Sequence, residues 1–161
     1  MTTVDKEVWL EAPIERIFSY INEPSNHPEY WPSLMEVNNV KSLPNGGYSF
    51  RWAYKMLGRR FAGTAECTEI LPNQLLIFKT TGGIKSTIWW TFRSRNNKTR
   101  VTFTAEYKVP IPLLGKLAEA IIVKMNDHEG DLIMSNLQAK FMTDNHQNSL
   151  SLILPNSIGV L

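Results

Sequence analysis

Leu113 to Met142, LLGKLAEAIIVKMNDHEGDLIMSNLQAKFM, contains no proline and only two glycines, Gly115 and Gly130, and it follows the breaker Pro110-Ile111-Pro112. This stretch predicts one long helix. At 1.5 Å per residue, about 28 residues span roughly 42 Å, enough to cross an entire sheet. Lys124, Asp127, Asp131 and Gln138 fall within one arc at 100° per residue, which marks the solvent side. The opposite arc carries Ala118, Ile122, Met125, Asn126, Glu129, Ile133, Asn136 and Lys140, so an acid and two amides occupy the face that should meet apolar strands. A buried carboxylate without a partner is expensive, so Glu129 must pair with an arginine or lysine of the sheet, be protonated, or face a wet cavity.

Upstream of the helix the period changes from 3.6 to 2. Val4 to Glu11 alternates as a half-buried strand, apart from Trp9. Ala12-Pro13 opens a short helix with Ile14, Ile17, Phe18 and Ile21 on one face, and Pro24 to Trp31 makes a second short helix or turn. Strands are then predicted over Met35–Leu43, Tyr48–Met56, Phe61–Leu71, Leu75–Thr80, Ile84–Arg93 and Thr99–Val109. Between them stand turns such as Pro44-Asn45-Gly46-Gly47, Gly58-Arg59-Arg60 and Asn96-Asn97-Lys98. The order of strand, two helices, six strands and long helix specifies an α+β fold: a curved antiparallel sheet of about seven strands wrapped around the long C-terminal helix. The domain is expected over residues 1–142. Residues 143–161 read as a C-terminal tail, although Leu150–Leu154 and Ile158–Leu161 are apolar enough to dock on the domain or on another copy.

Parity along the strands identifies the inner face. Phe50, Trp52 and Tyr54 share it with Tyr48 and Met56; Ile88 and Trp90 share it with Ile84, Ser86 and Phe92; Phe103, Ala105 and Tyr107 share it with Val101 and Val109. Bulky side chains on three strands facing a helix with polar residues point to a ligand cavity between them. Its candidate lining is Phe50, Trp52, Tyr54, Ile88, Trp90, Phe103, Ala105 and Tyr107 from the sheet, with Ile122, Met125, Asn126, Glu129 and Ile133 from the helix. The competing reading is ordinary core packing, with Glu129 in a structural ion pair. Tyr54 and Tyr107 are informative because a buried hydroxyl seeks a partner. His128, at the margin of the inward arc, reads first as a structural histidine, His27 as a loop residue and His146 as part of the tail. If the site is catalytic, Glu129 with its pKa raised by burial is the candidate acid or base, assisted by His128 or Tyr54. No GxSxG elbow is present, and Gly46-Gly47 and Gly82-Gly83 are hairpin glycines rather than phosphate loops. Arg59-Arg60 and the group Arg93, Arg95, Lys98 and Arg100 read as solvated turns.

At 161 residues the chain has room for one core, and a net charge of +2 is small for a nucleic-acid binder. The single Cys67 and three scattered histidines give no disulfide and no metal spacing. No cofactor is expected. The N-terminus lacks a secretory pattern and no run of about 18 apolar residues occurs, so a cytoplasmic protein without a transmembrane segment is expected.

The chain resembles the START-like superfamily with the Bet v 1 helix-grip fold (SRPBCC), in particular its polyketide cyclase/dehydrase and lipid-transport group. The resemblance covers residues 3–142 and rests on Glu11-Ala12-Pro13-Ile14-Glu15-Arg16-Ile17-Phe18 after a strand, then Tyr30-Trp31-Pro32-Ser33, then Gly115 opening a final helix that ends near Asn136-Leu137. It implies a hydrophobic cavity between sheet and helix that accepts lipids, isoprenoid quinones or polyketides. No catalytic set of the family aligns onto this chain, and Arg51 and Arg93 fall on the outward parity. The leading expectation is therefore binding or transport of a small hydrophobic ligand by a monomer or homodimer, with transient membrane contact as an option. Cyclase, aromatase or dehydratase activity on a polyketide-like substrate is the alternative. A third expectation is a protein-partner module using an exposed Trp89 and the apolar tail.

Overall fold

The structure, a computed structural model, describes residues 1–108 and 115–153, the side chains of 143–153 excepted. Its elements are β1 (Thr2–Leu10), α1 (Ile14–Asn22), a single 3-10 turn (Pro24–Asn26), α2 (His27–Tyr30), β2 (Leu34–Ser42), β3 (Tyr48–Met56), β4 (Arg59–Leu71), β5 (Leu75–Gly82), β6 (Ser86–Arg95), β7 (Lys98–Tyr107) and α3 (Gly115–Ile153). The seven strands form one antiparallel sheet in the order β1-β7-β6-β5-β4-β3-β2. Strands β2 to β7 are a meander, and the helical connection after β1 carries the chain to the opposite edge. The α+β helix-grip expectation is met.

Local chemistry explains the turns and the curvature. The β6–β7 hairpin turns through Asn96 and Asn97, both at positive φ (52° and 60°), the conformation that a tight primed turn requires. The β3–β4 turn lies at Leu57-Gly58, one step earlier than expected, so Arg59 and Arg60 belong to β4, and Arg60 pairs with Glu36 at 3.1 Å. Register shifts between Leu34 and Glu36, between Asn38 and Lys41, and between Cys67 and Glu69 insert extra residues into one strand, which bends and twists the sheet. Strand β6 starts at Ser86 rather than Ile84. Arg100 and Lys98, expected in a solvated turn, pair from β7 with Glu7 (Nε–O 2.9 Å) and Glu11 (2.8 Å).

Helix α3 departs from expectation at both its end and its face. It continues past Met142 to Ile153, and the apolar segment from Leu154 to Leu161 lies outside the described residues. Among its described side chains the buried residues are Ile122, Gly130, Ile133, Met134, Leu137 and Phe141. Met125 is 42% exposed and Lys140 is exposed, stacked over the Tyr20 ring at 5.5 Å. The inward stripe is thus rotated from the one drawn through Met125 and Lys140, because the helix packs closely against β1 and reaches β3 only through the Tyr54 hydroxyl. There, at Gly130, an added Cβ would lie 2.9 Å from Val4 Cγ1 and 3.0 Å from Lys6 Cγ on β1, so glycine permits the close approach. Lys6 extends past this contact to Asp127 and Asp131, at 2.9 Å from each.

Candidate functional site

Between α3 and the inner face of β3 to β7 lies a cavity of about 120 Å³ that opens into a cleft. A cavity of roughly 150 Å³ holds one benzene ring, so the enclosed space takes about a single ring and a larger ligand extends into the open cleft. Of the expected lining, Phe50, Trp52, Tyr54, Ile88, Trp90, Phe103, Ala105, Tyr107, Asn126, Glu129 and Ile133 all border it. Ile122 is buried but does not reach it, and Met125 turns outward. Val4, Trp31, Leu34, Met56, Ala65, Phe78 and Gly130 complete much of the apolar wall.

Among the described residues no lysine or arginine pairs with Glu129. Its Oε1 accepts the Ser33 backbone N–H at 2.7 Å, while Oε2 accepts the Ser33 hydroxyl at 2.6 Å and the Tyr54 hydroxyl at 2.8 Å. Ser33 is placed for this by the turn that leaves α2, and its carbonyl accepts the Lys55 N–H at 2.9 Å. One residue therefore ties β3 to α3 across an end of the cavity. Two helical turns farther along the same face, the Asn136 amide donates to the Tyr30 carbonyl at 3.1 Å, so α2 is held on α3 as well. Burial pushes the Tyr54 phenol well above its usual range, and the Glu129 charge adds to this; Ser33 and Trp31 pull the other way. The phenol remains a donor to the carboxylate. Ser33 carried no site expectation, since nothing in an isolated Pro-Ser step reveals a carboxylate nearly a hundred residues away.

His27 is the larger correction. It begins α2, is 4% exposed and borders the cavity, packed edge-on against Phe50 and Phe78. Its Nε2 donates to the Ile21 carbonyl at 2.8 Å. Burial lowers its pKa to about 4, against the smaller opposing effects of that carbonyl and of Glu23, so the ring is neutral at pH 7. His128 is exposed and does not border the cavity, which removes it from any constellation with Glu129. Trp89 is half-buried, so the expected exposed aromatic for a protein partner is not offered. The Cys67 thiol is buried, and its pKa is pushed up to about 11 chiefly by that burial, which leaves little thiolate for nucleophilic chemistry. Among the described residues no cluster of three His, Cys, Asp or Glu side chains could hold a metal, and no helix is long and apolar enough to cross a membrane.

Other polar groups in the wall are few. The Thr80 and Ser86 hydroxyls hydrogen-bond each other at 2.7 Å, and Thr80 also bonds the Ile84 carbonyl at 2.9 Å. Among the described residues three buried side-chain polar atoms have no partner: the Trp52 indole N–H and the Tyr107 hydroxyl, on residues of the cavity wall, and the Tyr30 hydroxyl, on a residue that does not border the cavity. The Asn126 amide approaches Tyr107 and opposes the upward effect of burial on that phenol, but no hydrogen bond of normal length and angle joins them.

A sheet gripping a C-terminal helix around such a cavity defines a START-like ligand-binding fold. The family model described as polyketide cyclase/dehydrase and lipid transport matches residues 1–141, and the chain belongs to this family. Solved structures agree on the fold. A Thermus thermophilus protein, TTHA0849, superposes with a TM-score of 0.76 at 19% identity, covering 88% of this chain and 98% of that one. A START superfamily protein from Mycobacterium smegmatis gives 0.74 at 13% identity, over 89% and 99% of the two chains. The Zhui aromatase/cyclase from a Streptomyces species gives 0.67 at 12% identity, over 84% and 92%. No protein of curated function matches the sequence.

Proposed function

We propose that the protein binds a small hydrophobic molecule (a lipid, an isoprenoid quinone or a polyketide-like compound) in the cavity between sheet and α3, and serves as a carrier rather than a catalyst. The observation that carries this reading is the cavity itself: an almost wholly apolar wall around room for an aromatic ring, opening into a cleft, at the place where a packed core would otherwise stand. Affinity comes from apolar area removed from water, at about 25 cal/mol per Å². The Glu129 carboxylate supports binding over turnover, because three protein donors already occupy it. Residues 1–142 form the binding domain on this reading, acting in the cytoplasm as a monomer or homodimer without nucleic acid.

Native mass spectrometry of freshly purified protein, followed by solvent extraction, tests it. A stoichiometric apolar adduct is expected, and Ala105→Phe, which fills the cavity from β7, removes it. An unchanged adduct in Ala105→Phe overturns the assignment of the site. A second reading, cyclisation or dehydration of a polyketide-like substrate, is favoured by the hydrogen bond between Tyr54 and Glu129 on the cavity wall. Under it, Glu129→Gln abolishes turnover and leaves binding nearly intact; a wild-type rate in that variant excludes it.

A further inference from the structure

Taking the binding reading as its basis, we propose that the ligand is electrically neutral and carries carbonyl-type acceptor oxygens, which the Trp52 indole N–H and the Tyr107 hydroxyl read from separate walls of the cavity. Both side chains are more than nine-tenths buried, at 7% and 6% exposure, and both border the cavity. Neither polar atom has a partner. A buried donor left unsatisfied carries its full desolvation cost, and these two, unlike the unpartnered Tyr30 hydroxyl, belong to residues of the cavity wall, where a ligand can complete them. An indole N–H can only donate, and therefore calls for an acceptor.

The placement of Trp52 is itself built. Its ring lies over Gly63, where an added Cβ would come within 2.7 Å of the ring carbon Cζ2, and Gly63 pairs in turn with Gly82. The absence of side chains at that point lets the indole approach the β4 backbone this closely. Tyr107 stands on β7, separated from β3 by β4, β5 and β6 in the sheet, so the two donors address different parts of one ligand.

Charge selects further. Among the described residues that border the cavity there is no lysine or arginine, whereas Glu129 supplies a negative charge. An anionic ligand would lose its hydration, gain no counter-ion and face that carboxylate. Fatty-acid carboxylates and phosphorylated isoprenoids are therefore disfavoured, and neutral ketones, quinones or esters with an apolar body are favoured.

The test uses three probes of one shape, measured by calorimetry on the full chain: menadione, a neutral dicarbonyl; methylnaphthalene, a hydrocarbon; and naphthoate, an anion. Menadione is expected to bind roughly ten-fold more tightly than methylnaphthalene, with naphthoate the weakest. In the double variant Trp52→Phe/Tyr107→Phe the ratio of menadione to methylnaphthalene affinity falls to near one. Wild-type protein gives an independent readout, since the Trp52 indole N–H resonance should move downfield with menadione and not with methylnaphthalene. Equal affinity for menadione and methylnaphthalene, or a preference for naphthoate, overturns this inference and leaves hydrophobic binding standing. Failure of all three to bind, the hydrocarbon included, overturns the binding reading and this inference with it.

Discussion

Helix α3 meets the sheet in two different ways. At β1 it presses down until only a glycine fits: Gly130 sits against Val4 and Lys6, and the Lys6 ammonium reaches Asp127 and Asp131. Toward β3 to β6 it stands away, and what reaches it from β3 is the Tyr54 hydroxyl, aimed at Glu129. The same helix face is thus a close-packed seam along one edge and a cavity roof along the other. Residue size decides which, since Gly130 permits approach while Glu129 and Asn126, backed by the aromatic wall, prevent it. An interior that would otherwise be packed to crystal-like density is held open by these polar clamps.

The largest effect should come from breaking the seam. Gly130→Val forces branched carbon into a contact already too short for a Cβ, and should destabilise by about 3 kcal/mol. For a chain of this size that lowers Tm by roughly 10 °C, and a variant melting at the wild-type temperature would show that the seam is not close-packed.

A nearly equal effect belongs to the cavity side and depends on pH. The folded protein keeps His27 neutral down to about pH 4, whereas the unfolded chain protonates near 6.5. Unfolding therefore takes up a proton in this window, and stability falls as pH drops from about 6.5 to 4, by an amount on the order of 3 kcal/mol. Urea titrations of wild type and His27→Gln should show that part of the loss only in the wild type; parallel curves would place the ring in a solvated setting.

Ser33→Ala removes the hydroxyl bond to Glu129 and keeps the backbone one. A loss of about 2 kcal/mol is expected for a hydrogen bond to a charged group, together with weaker retention of any adduct, because the link from β3 to α3 loosens. Unaltered stability and retention would mean that the backbone bond alone holds the roof. The smallest effect is that of Lys6→Met. Both its carboxylate partners are 58% exposed, so although the two ion pairs raise the Lys6 pKa, chemical denaturation should register less than about 1 kcal/mol. A larger loss would transfer the strength of the seam from packing to charge.

Much of this comparison was legible in the residues, and the parts that were not share a cause. Alternation in Tyr48–Met56 and Thr99–Val109 placed Phe50, Trp52, Tyr54, Phe103, Ala105 and Tyr107 on the inner face, where they stand, while Val109 lies outside the described residues. Glu129 was recognisable as anomalous because a carboxylate on an inward helical face has few affordable environments. Its partners were not, because Ser33 and Tyr54 reach it across 96 and 75 residues of sequence and belong to elements with their own local logic. His27, in Asn26-His27-Pro28, has the composition of a loop; only packing of α2 beneath Phe50 and Phe78 makes it an interior group.

Periodicity, turn chemistry and the breaker Pro110-Ile111-Pro112 are local, and by themselves they determined the element order, the strand faces and the presence of one long C-terminal helix. The rotation of that helix, its seam at Gly130, the cavity beside it and the two unpartnered donors on residues of its wall were decided by tertiary structure alone. The physical reason is distance in the chain: a contact such as Gly130 on Val4 depends on the curvature of the whole sheet, and curvature is a sum over strands that no single stretch of sequence encodes.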